Sequence, residues 1–400
     1  MQVWLICWVV IQVLFGAHLI LPLLLGIIAL FKRPVRCVPQ KLVSEYDYGI
    51  IVTAYMQVDL LPAVVETLLR LNYSNYLIYV VADNCDISGL QFNNEKVLLL
   101  RPKEILSGNT KSHFYAIQHF KRPHTHLTII DSDNLVDKEY LNELNAYFAL
   151  GFKAIQGIRM AKNLDSTYAC LDAASDIYYR FIDRKLLFAL GSSAALSGSG
   201  MAFTTALYRE CLEDLKIEGA GFDKVLQMEI LKRQLRVAFA EKAVVYDEKT
   251  SRSDQLVKQR ARWIYTWFKY YRLGIGLLIN GLFHLNWNQT LYAIFYLRPP
   301  LFLMLLFSFI FMIIDIIFFQ HMALYWIGAF FAFFIGFLFS LRYYKAPRPI
   351  YRSLLNIPVF IYFQLFSLIK SKKANKISVA TTHYYRNDQT NPSNNHLNEL

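Results

Sequence analysis

The chain has no paired cysteines. Cys7, Cys37, Cys85, Cys170 and Cys211 are scattered, with no C-x-x-C. That spacing supports neither a zinc site nor a disulfide framework, and it fits a reducing compartment. No Lys or Arg precedes residue 32. A secretory signal peptide wants a basic segment ahead of its apolar run, so the first apolar run does not read as one. No internal repeat is visible, which sets repeat architectures aside. Acidic residues are scarce relative to basic ones, 30 against 42, for a net charge of +12. Nucleic-acid binding is one reading of that balance. Much of the basic charge flanks apolar segments, however, so an anionic membrane face is the favoured partner and nucleic acid is not expected.

What the chain has in excess is apolar surface. Of 400 residues 55% are hydrophobic and 16% aromatic, and the mean hydropathy is +0.28. The excess sits at the two ends, which implies membrane segments around a soluble domain. Residues 3–31 are almost continuously apolar, long enough to span a bilayer with tilt. Lys32, Arg33, Arg36 and Lys41 follow, so the positive-inside rule puts the N-terminus outside and the next domain in the cytoplasm. A bacterial inner (plasma) membrane is the expected location. Two further spans are expected at 301–319 and 322–341, joined by Gln320-His321 and followed by Arg342, Lys345, Arg348 and Arg352. Asp315 lies near the outer end of the first of these and is expected to snorkel to the interface. Residues 354–369 contain Pro358 and Gln364 and end in lysines, so they read as interfacial or re-entrant. The Asn-rich end, 386–400, reads as disordered.

Between these segments the pattern is α/β. Short β-rich runs at 49–53, 77–82, 97–100, 127–130, 154–158 and 237–240 alternate with helical patterns at 58–71, 112–120, 138–150 and 166–190. Such alternation predicts a mainly parallel sheet. The expected division is 1–31 (first membrane helix), 45–250 (α/β domain), 251–290 (interfacial segment), 291–341 (two membrane helices) and 342–400 (interfacial helix and polar tail). In 255–271, Lys258, Arg260, Arg262 and Lys269 interleave with Trp263, Tyr265, Trp267, Phe268 and Tyr270. A basic, aromatic helix of this kind lies along a membrane face.

Ligands bind at the C-terminal edge of an open α/β sheet. The run Leu127-Thr128-Ile129-Ile130 ends in Asp131-Ser132-Asp133, and two hard carboxylates there suit Mg²⁺ or Mn²⁺ beside a phosphorylated substrate. Read alone, D-x-D is as readily a solvated turn. A preceding strand ends in Asp83-Asn84-Cys85-Asp86. Lys111 opens a helix after Ser107-Gly108-Asn109, a ready anion site, or simply a solvated lysine. Ser197-Gly198-Ser199-Gly200 allows close backbone approach, or is a tight turn. Asp223 follows Gly219-Ala220-Gly221-Phe222 and could cap the next helix. His124 and His126 read as loop residues, because no third ligand is near.

Taken together, these motifs resemble the membrane-bound, polysaccharide-synthase-like glycosyltransferases of family 2, related to cellulose and hyaluronan synthases. The resemblance covers roughly residues 45–270. It rests on Ile51-Val52-Thr53-Ala54-Tyr55, Val80 to Asp86, Lys111 with Ala116, Asp131-Ser132-Asp133-Asn134, Asp223, and a complete Gln259-Arg260-Ala261-Arg262-Trp263. It implies a GT-A domain with flanking transmembrane helices. It also implies that Thr53, Tyr55 and Asp83 hold the base and ribose, that Lys111 and Asp131 place the diphosphate, and that Asp133 binds the metal. Asp223 would be the general base. Gln259, Arg262 and Trp263 would shape the acceptor end and the diphosphate pocket, and Ser197 to Gly200 would lie near the acceptor.

The implied reaction is inverting transfer from a nucleotide-sugar, UDP-linked in the first instance, to a glycan or lipid-linked acceptor in cell-surface polysaccharide synthesis. The implied partners are donor, acceptor, membrane lipids, and export-complex subunits or a second copy. The chain departs from the family at Gln57, where an acidic residue is usual, and at Phe222, where the base's acidic neighbour is replaced by a ring. A tail pattern is reduced to Ser378–His383. These departures motivate an alternative, a catalytically weak scaffold subunit of a glycan export complex. A small-solute transporter wants more spans than this chain has.

Overall fold

The computed structural model describes residues 2–32 and 45–371. Arg33, Arg36, Cys37, Lys41, the pattern 378–383 and the Asn-rich end lie outside the described residues. In chain order the elements are α1 (Gln2–Leu30), β1 (Tyr48–Tyr55), α2 (Leu61–Leu69), β2 (Tyr76–Asp83), β3 (Val97–Leu100), α3 (Asn109–Gln118), β4 (His126–Asp131), β5 (Leu135–Val136), α4 (Tyr140–Phe148) and β6 (Ala154–Ala161). Next, α5 (Thr167–Tyr179) runs without a break through a π-helix (Arg180–Leu186) into α6 (Leu187–Ala189). Then come β7 (Met201–Thr204), α7 (Thr205–Leu212), α8 (Phe222–Lys232), β8 (Val237–Asp247), α9 (Ser253–Phe283), α10 (Trp287–Tyr296), α11 (Leu301–Phe318), α12 (Gln320–Tyr343), α13 (Arg348–Ser353) and α14 (Ile357–Ser371).

The strands form one eight-stranded sheet in the order β3-β2-β1-β4-β7-β6-β8-β5. β1 pairs in parallel with β2 and β4, β2 with β3, and β6 with β8, while β7 runs antiparallel to both neighbours. The central strands read as unbroken apolar runs because helices cover both faces. Ile50, Ile51 and Val52 are fully buried. Two strands escaped the sequence reading. β5 has two residues, too few for a period, and β7 lies hidden behind the glycine-rich run.

Register decides what meets at the sheet edge. Thr53 pairs with Asp131 and Tyr55 with Asp83, so β1 and β2 end level and β4 ends two residues before them at the same edge. β7 starts where β4 ends: the Gly200 amide donates to the Ile129 carbonyl at 2.9 Å. On the far side β8 loops out between Ala240, opposite Gly157, and Val244, opposite Ile158. Gly157 is needed there, since a Cβ would meet the Ala243 carbonyl at 2.6 Å.

His124 is a loop residue, and it is buried: its ring bonds Asp47 and the Tyr79 hydroxyl, each at 2.9 Å. His126 is not in a loop but starts β4, packed against Tyr46 and Phe148. Both are fold residues; burial holds the His126 imidazole down to about 4.

Among the described residues, four helices are long and apolar enough to cross a membrane: Val3–Leu30, Leu301–Phe318, Gln320–Tyr343 and Arg348–Ser371. The fourth is one more than the sequence reading expected. Its α14 part packs along α9, with Phe360 beside Leu256 and Leu171, and Ile361 and Leu365 beside Ile264 and Phe302. α9 itself packs against α10 through glycine, since a Cβ on Gly274 would meet Tyr296 at 2.5 Å.

α1, α11 and α12 meet around Leu19, Met304, Trp326 and Ala329. Asp315 does not snorkel. It is fully buried and accepts from Trp8 Nε1 (3.2 Å), Gln12 Nε2 (3.0 Å) and Trp326 Nε1 (3.0 Å). Three donors from two other helices offset the cost of burying the carboxylate. Asp315→Ala strands those donors, at about 1–3 kcal/mol for an unmet buried group. The expected outcome is a lower thermal unfolding midpoint for the detergent-solubilised protein, with Asp315→Asn falling between the two.

Candidate functional site

A cleft of about 1160 Å³ opens at the shared edge of β1 and β4 and runs on to the apolar helices. Thr53 and Tyr55 line it from the end of β1, Asp131 and Asp133 from the end of β4, and Ser197 and Gly198 from the run before β7. Asp223 enters from the first turn of α8. Gln259, Arg262 and Trp263 enter from α9. Their spacing of three and four residues puts them on one helix face. The faces beside it, with Leu256, Val257, Ala261 and Ile264, are buried.

Of the residues given a site role from the sequence, Asp83, Lys111, Ser199 and Gly200 do not line the cleft. Asp83 is 1% exposed, and its two oxygens accept the Leu106 and Ser107 amides at 2.9 and 2.8 Å. It therefore sets the loop whose Ser107, Gly108 and Asn109 do line the cleft. Tyr55 OH and Ser107 Oγ share a bond of 3.3 Å across that mouth. Lys111 is exposed in the first turn of α3 and points no atom into the lining. Ser199 is buried under the edge: its Oγ donates to Asn134 Oδ1 at 2.6 Å and accepts the Asp131 amide at 3.1 Å. Gly200 is part of the sheet bonding and holds a φ of +66°.

Asp223 is not the helix cap. Gly221 takes that position with a φ of +102°, and a Cβ there would meet Tyr270 Cε2 at 2.5 Å. The Asp223 carboxylate makes no hydrogen bond among the described residues, and its charge is felt by Tyr292 and Tyr296 of α10. Phe222 beside it is 5% exposed, edge-on to the His113 ring at 5.1 Å. An acidic side chain would be buried there beside an imidazole held down to about 3 by desolvation. The apolar ring thus anchors the start of α8.

Electrostatics favour a cation at the end of β4. Burial first, and the Asp133 carboxylate second, push the Asp131 carboxyl up to about 6, although Arg159 and Arg262 pull it down. Burial in turn lowers the Arg262 guanidinium, which faces Asp131. Two crowded carboxylates of hard-oxygen type fit a divalent cation, which relieves that repulsion. Among the described residues there is no cluster of three or more His, Cys, Asp or Glu, so a cation there takes its remaining ligands from substrate and water.

The sequence reading missed the floor of the cleft. Arg159 pairs with Asp247 and donates to the Ser197 carbonyl at 2.9 Å. Lys249 bridges Asp247 (3.1 Å) and Asp176 (3.3 Å), and Asp176 also pairs with Arg180 at 2.9 Å. Burial opposes the Asp176 charge, but Lys249, Arg180 and Arg184 hold its carboxyl below the usual range. Arg260 pairs with Asp172 and lies 4.6 Å over the Trp263 ring. Arg159 and Asp247 were visible as charges in or ending β-runs, the same signal that singled out Asp131. Asp176 and Asp183, inside a long helical pattern, gave no such signal.

A model of the family described as glycosyltransferase-like family 2 matches residues 46–266, from the lead into β1 to just past Trp263. No curated protein matches the chain. Among solved structures, one similar fold is the mannosyltransferase PcManGT from Pyrobaculum calidifontis, in complex with GDP-Man and Mn²⁺. It is 13% identical with a TM-score of 0.57, over 91% of this chain and 98% of that one. Another match is S. aureus TarS 1–349 in complex with UDP-GlcNAc, 14% identical with a TM-score of 0.41, over 58% of this chain and 66% of that one. At 13% identity the likeness to PcManGT is one of fold. It bears out the GT-A-like α/β sheet with apolar helices at the N-terminus and in the C-terminal region.

The raised Asp131 carboxyl gives a pH dependence. A divalent cation needs the carboxylate, so Mn²⁺ affinity read by electron paramagnetic resonance falls about tenfold from pH 7 to pH 5, and Asp131→Asn flattens that slope. Without cation, the folded value of about 6 lies above the ordinary 3.8. Its stabilising contribution is then present below pH 4 and lost as pH rises through 6.

Proposed function

We propose, from the premise that this chain belongs to glycosyltransferase family 2, that it is a membrane-embedded inverting enzyme whose site is this cleft. Family membership makes it a nucleotide-sugar-dependent glycosyltransferase. One observation carries the finer reading. The carboxylates ending β4, Asp223 on α8 and the Gln259–Arg262–Trp263 face of α9 line one cleft, and that cleft continues between apolar helices.

In this reading Thr53 and Tyr55 bind the nucleoside end of the donor, UDP-linked in the first instance. Asp83 acts at one remove, by setting the Ser107 loop, and Ser199 by holding the backbone of Asp131. Asp133 would hold a divalent cation, which would supply positive charge against the departing diphosphate. Arg262, beside Asp131, adds a fixed cation on the same side. Asp223 is the general base. With no hydrogen bond of its own, it is available to take the proton of the acceptor hydroxyl as that oxygen attacks the anomeric carbon. With Asp223 as the base and no residue assigned as a nucleophile, the reading is one displacement with inversion. Trp263 is 43% exposed and offers a ring face to a sugar.

The four apolar helices and the basic residues beside them support a membrane placement in this reading. The N-terminus lies outside, and the α/β domain faces the cytoplasm of a bacterial-type plasma membrane. The product belongs to a cell-surface glycan or its lipid-linked precursor. The intact Asp131, Asp133, Asp223 and Gln259–Trp263 set favours an enzyme over a scaffold.

The test is nucleoside diphosphate release by the purified protein across a donor panel with Mn²⁺ or Mg²⁺. Asp223→Asn lowers kcat about 10²- to 10⁴-fold, the usual range for a general base, with donor KM little changed. Wild-type release no higher than that of Asp223→Asn for every donor sinks the reading. Asp133→Ala abolishes the response to added Mn²⁺.

A further inference from the structure

We infer that Arg260 is a positioning residue for the acceptor, pinning one face of the Trp263 ring so that the other stands ready for a sugar. This rests on the transferase reading above and deepens its acceptor end. A tryptophan on a helix surface has two side-chain torsions to fix, and Trp263 is exposed enough to move about them. An acceptor that stacks on a mobile ring must first stop that motion, at a cost in affinity. A ring already held in place spares it.

The structure supplies the hold. Arg260 lies three residues before Trp263 on α9, so the two side chains are neighbours on the helix. The Arg260 guanidinium carbon stands 4.6 Å from the centre of the Trp263 ring, over one face. The electron density of that face attracts the cation. The opposite face is left for the cleft, which Trp263 lines.

The support is itself fixed from two sides. Arg260 is 8% exposed and pairs with Asp172 of α5, which is 4% exposed. Either charge would be costly there without the other, so the pair stays closed. Arginine presents a flat, rigid fork, and holding one edge of it orients the whole group. Phe360 of α14 lies on the guanidinium as well, 5.8 Å from its carbon to the ring centre. At this level the three helices share one buried cluster of Leu171, Leu256 and Phe360, and Leu256 stands one turn before Arg260 on α9. A helix of the α/β domain, the helix that carries Gln259 to Trp263, and an apolar helix thus converge on a single guanidinium. Its neighbours are Asp172, Trp263 and Phe360, so its effect on the reaction runs through the Trp263 ring.

The test uses the full chain in lipid nanodiscs, with a panel of nucleotide-sugar donors and a membrane extract as the acceptor source. Arg260→Met is expected to raise the KM for the extract about fivefold, the size of a partly desolvated cation–π contact. The donor KM moves less than twofold. Asp172→Leu combined with Arg260→Met removes both charges and leaves neither buried alone. It is expected to do the same, and it covers the event that Arg260→Met fails to fold. In a Trp263→Ala background the Arg260 change adds less than twofold, because its effect passes through the ring. An extract KM within twofold of wild type overturns the inference, and so does an equal effect with and without the ring. Protein labelled with fluorotryptophan reads the ring without turnover. The fluorine resonance that Trp263→Ala removes is expected to move or broaden in the charge-free double variant. Its movement without turnover of any donor sinks the transferase reading alone; an unmoved resonance alongside turnover sinks the positioning role alone.

Discussion

The site depends on how β4 is held between β1 and β7. Its parallel register with β1 brings Thr53 level with Asp131. Its antiparallel register with β7 brings Ser199 under the same edge, where the hydroxyl takes the Asp131 amide and gives its own proton to Asn134. A slip of one residue would turn Asp131 and Asp133 to the other face. Thr128 holds that register: its buried hydroxyl donates to the Met201 carbonyl and meets the Tyr140 hydroxyl, each at 2.9 Å. The crowding of the two carboxylates then follows from the turn that ends the strand, where the Asn134 amide donates back to the Asp131 carbonyl at 3.1 Å.

Beneath that edge the protein has accepted an expensive arrangement. Arg159, Asp247, Lys249, Asp176 and Arg180 form a chain of alternating charge between β6, β8 and α5. Buried ion pairs are weak evidence for stability, since desolvation cancels much of their attraction. Their effect here is positional. Each charge is pinned by two neighbours, so the donors and dipoles under the cleft need little rearrangement when a charged ligand arrives. The π-helix that follows α5 fits the same picture. It places Asp183 against Arg298, linking the floor to the first residues of α11.

The apolar helices are joined to the domain rather than hung from it. α14 packs along α9, the helix that carries Gln259, Arg262 and Trp263. Asp315 ties α1 to the α11–α12 hairpin with donors from Trp8, Gln12 and Trp326. A polar network of this kind is worth most where no water competes for it. Any change in how the hairpin sits therefore reaches the cleft through its shared walls.

The sequence by itself determined the fold class, six of the strands, the strand-end carboxylates and the Gln259–Trp263 helix face. These are legible because they depend on local period and on residue types at the ends of apolar runs. Position 222 looked like a defect in a motif, and only packing against His113 shows it as a core residue. Asp83 and Lys111 were singled out at a strand end and a helix start that match motifs, and Ser199 and Gly200 as part of a small-residue run, yet the fold sends them under or beside the edge. Asp315 was placed by its distance from the end of its run, and what decided otherwise was two donors far away in sequence, Trp8 and Gln12, and a third, Trp326, across the hairpin. The pairing of Asp176 with Lys249, and of Asp183 with Arg298, was invisible for the same reason. Which charge faces which is fixed by contacts between residues tens of positions apart, and no periodicity carries that information. Asp131 and Asp133 thus began as a short motif that chance could supply. The register of three strands turned them into one wall of a cleft.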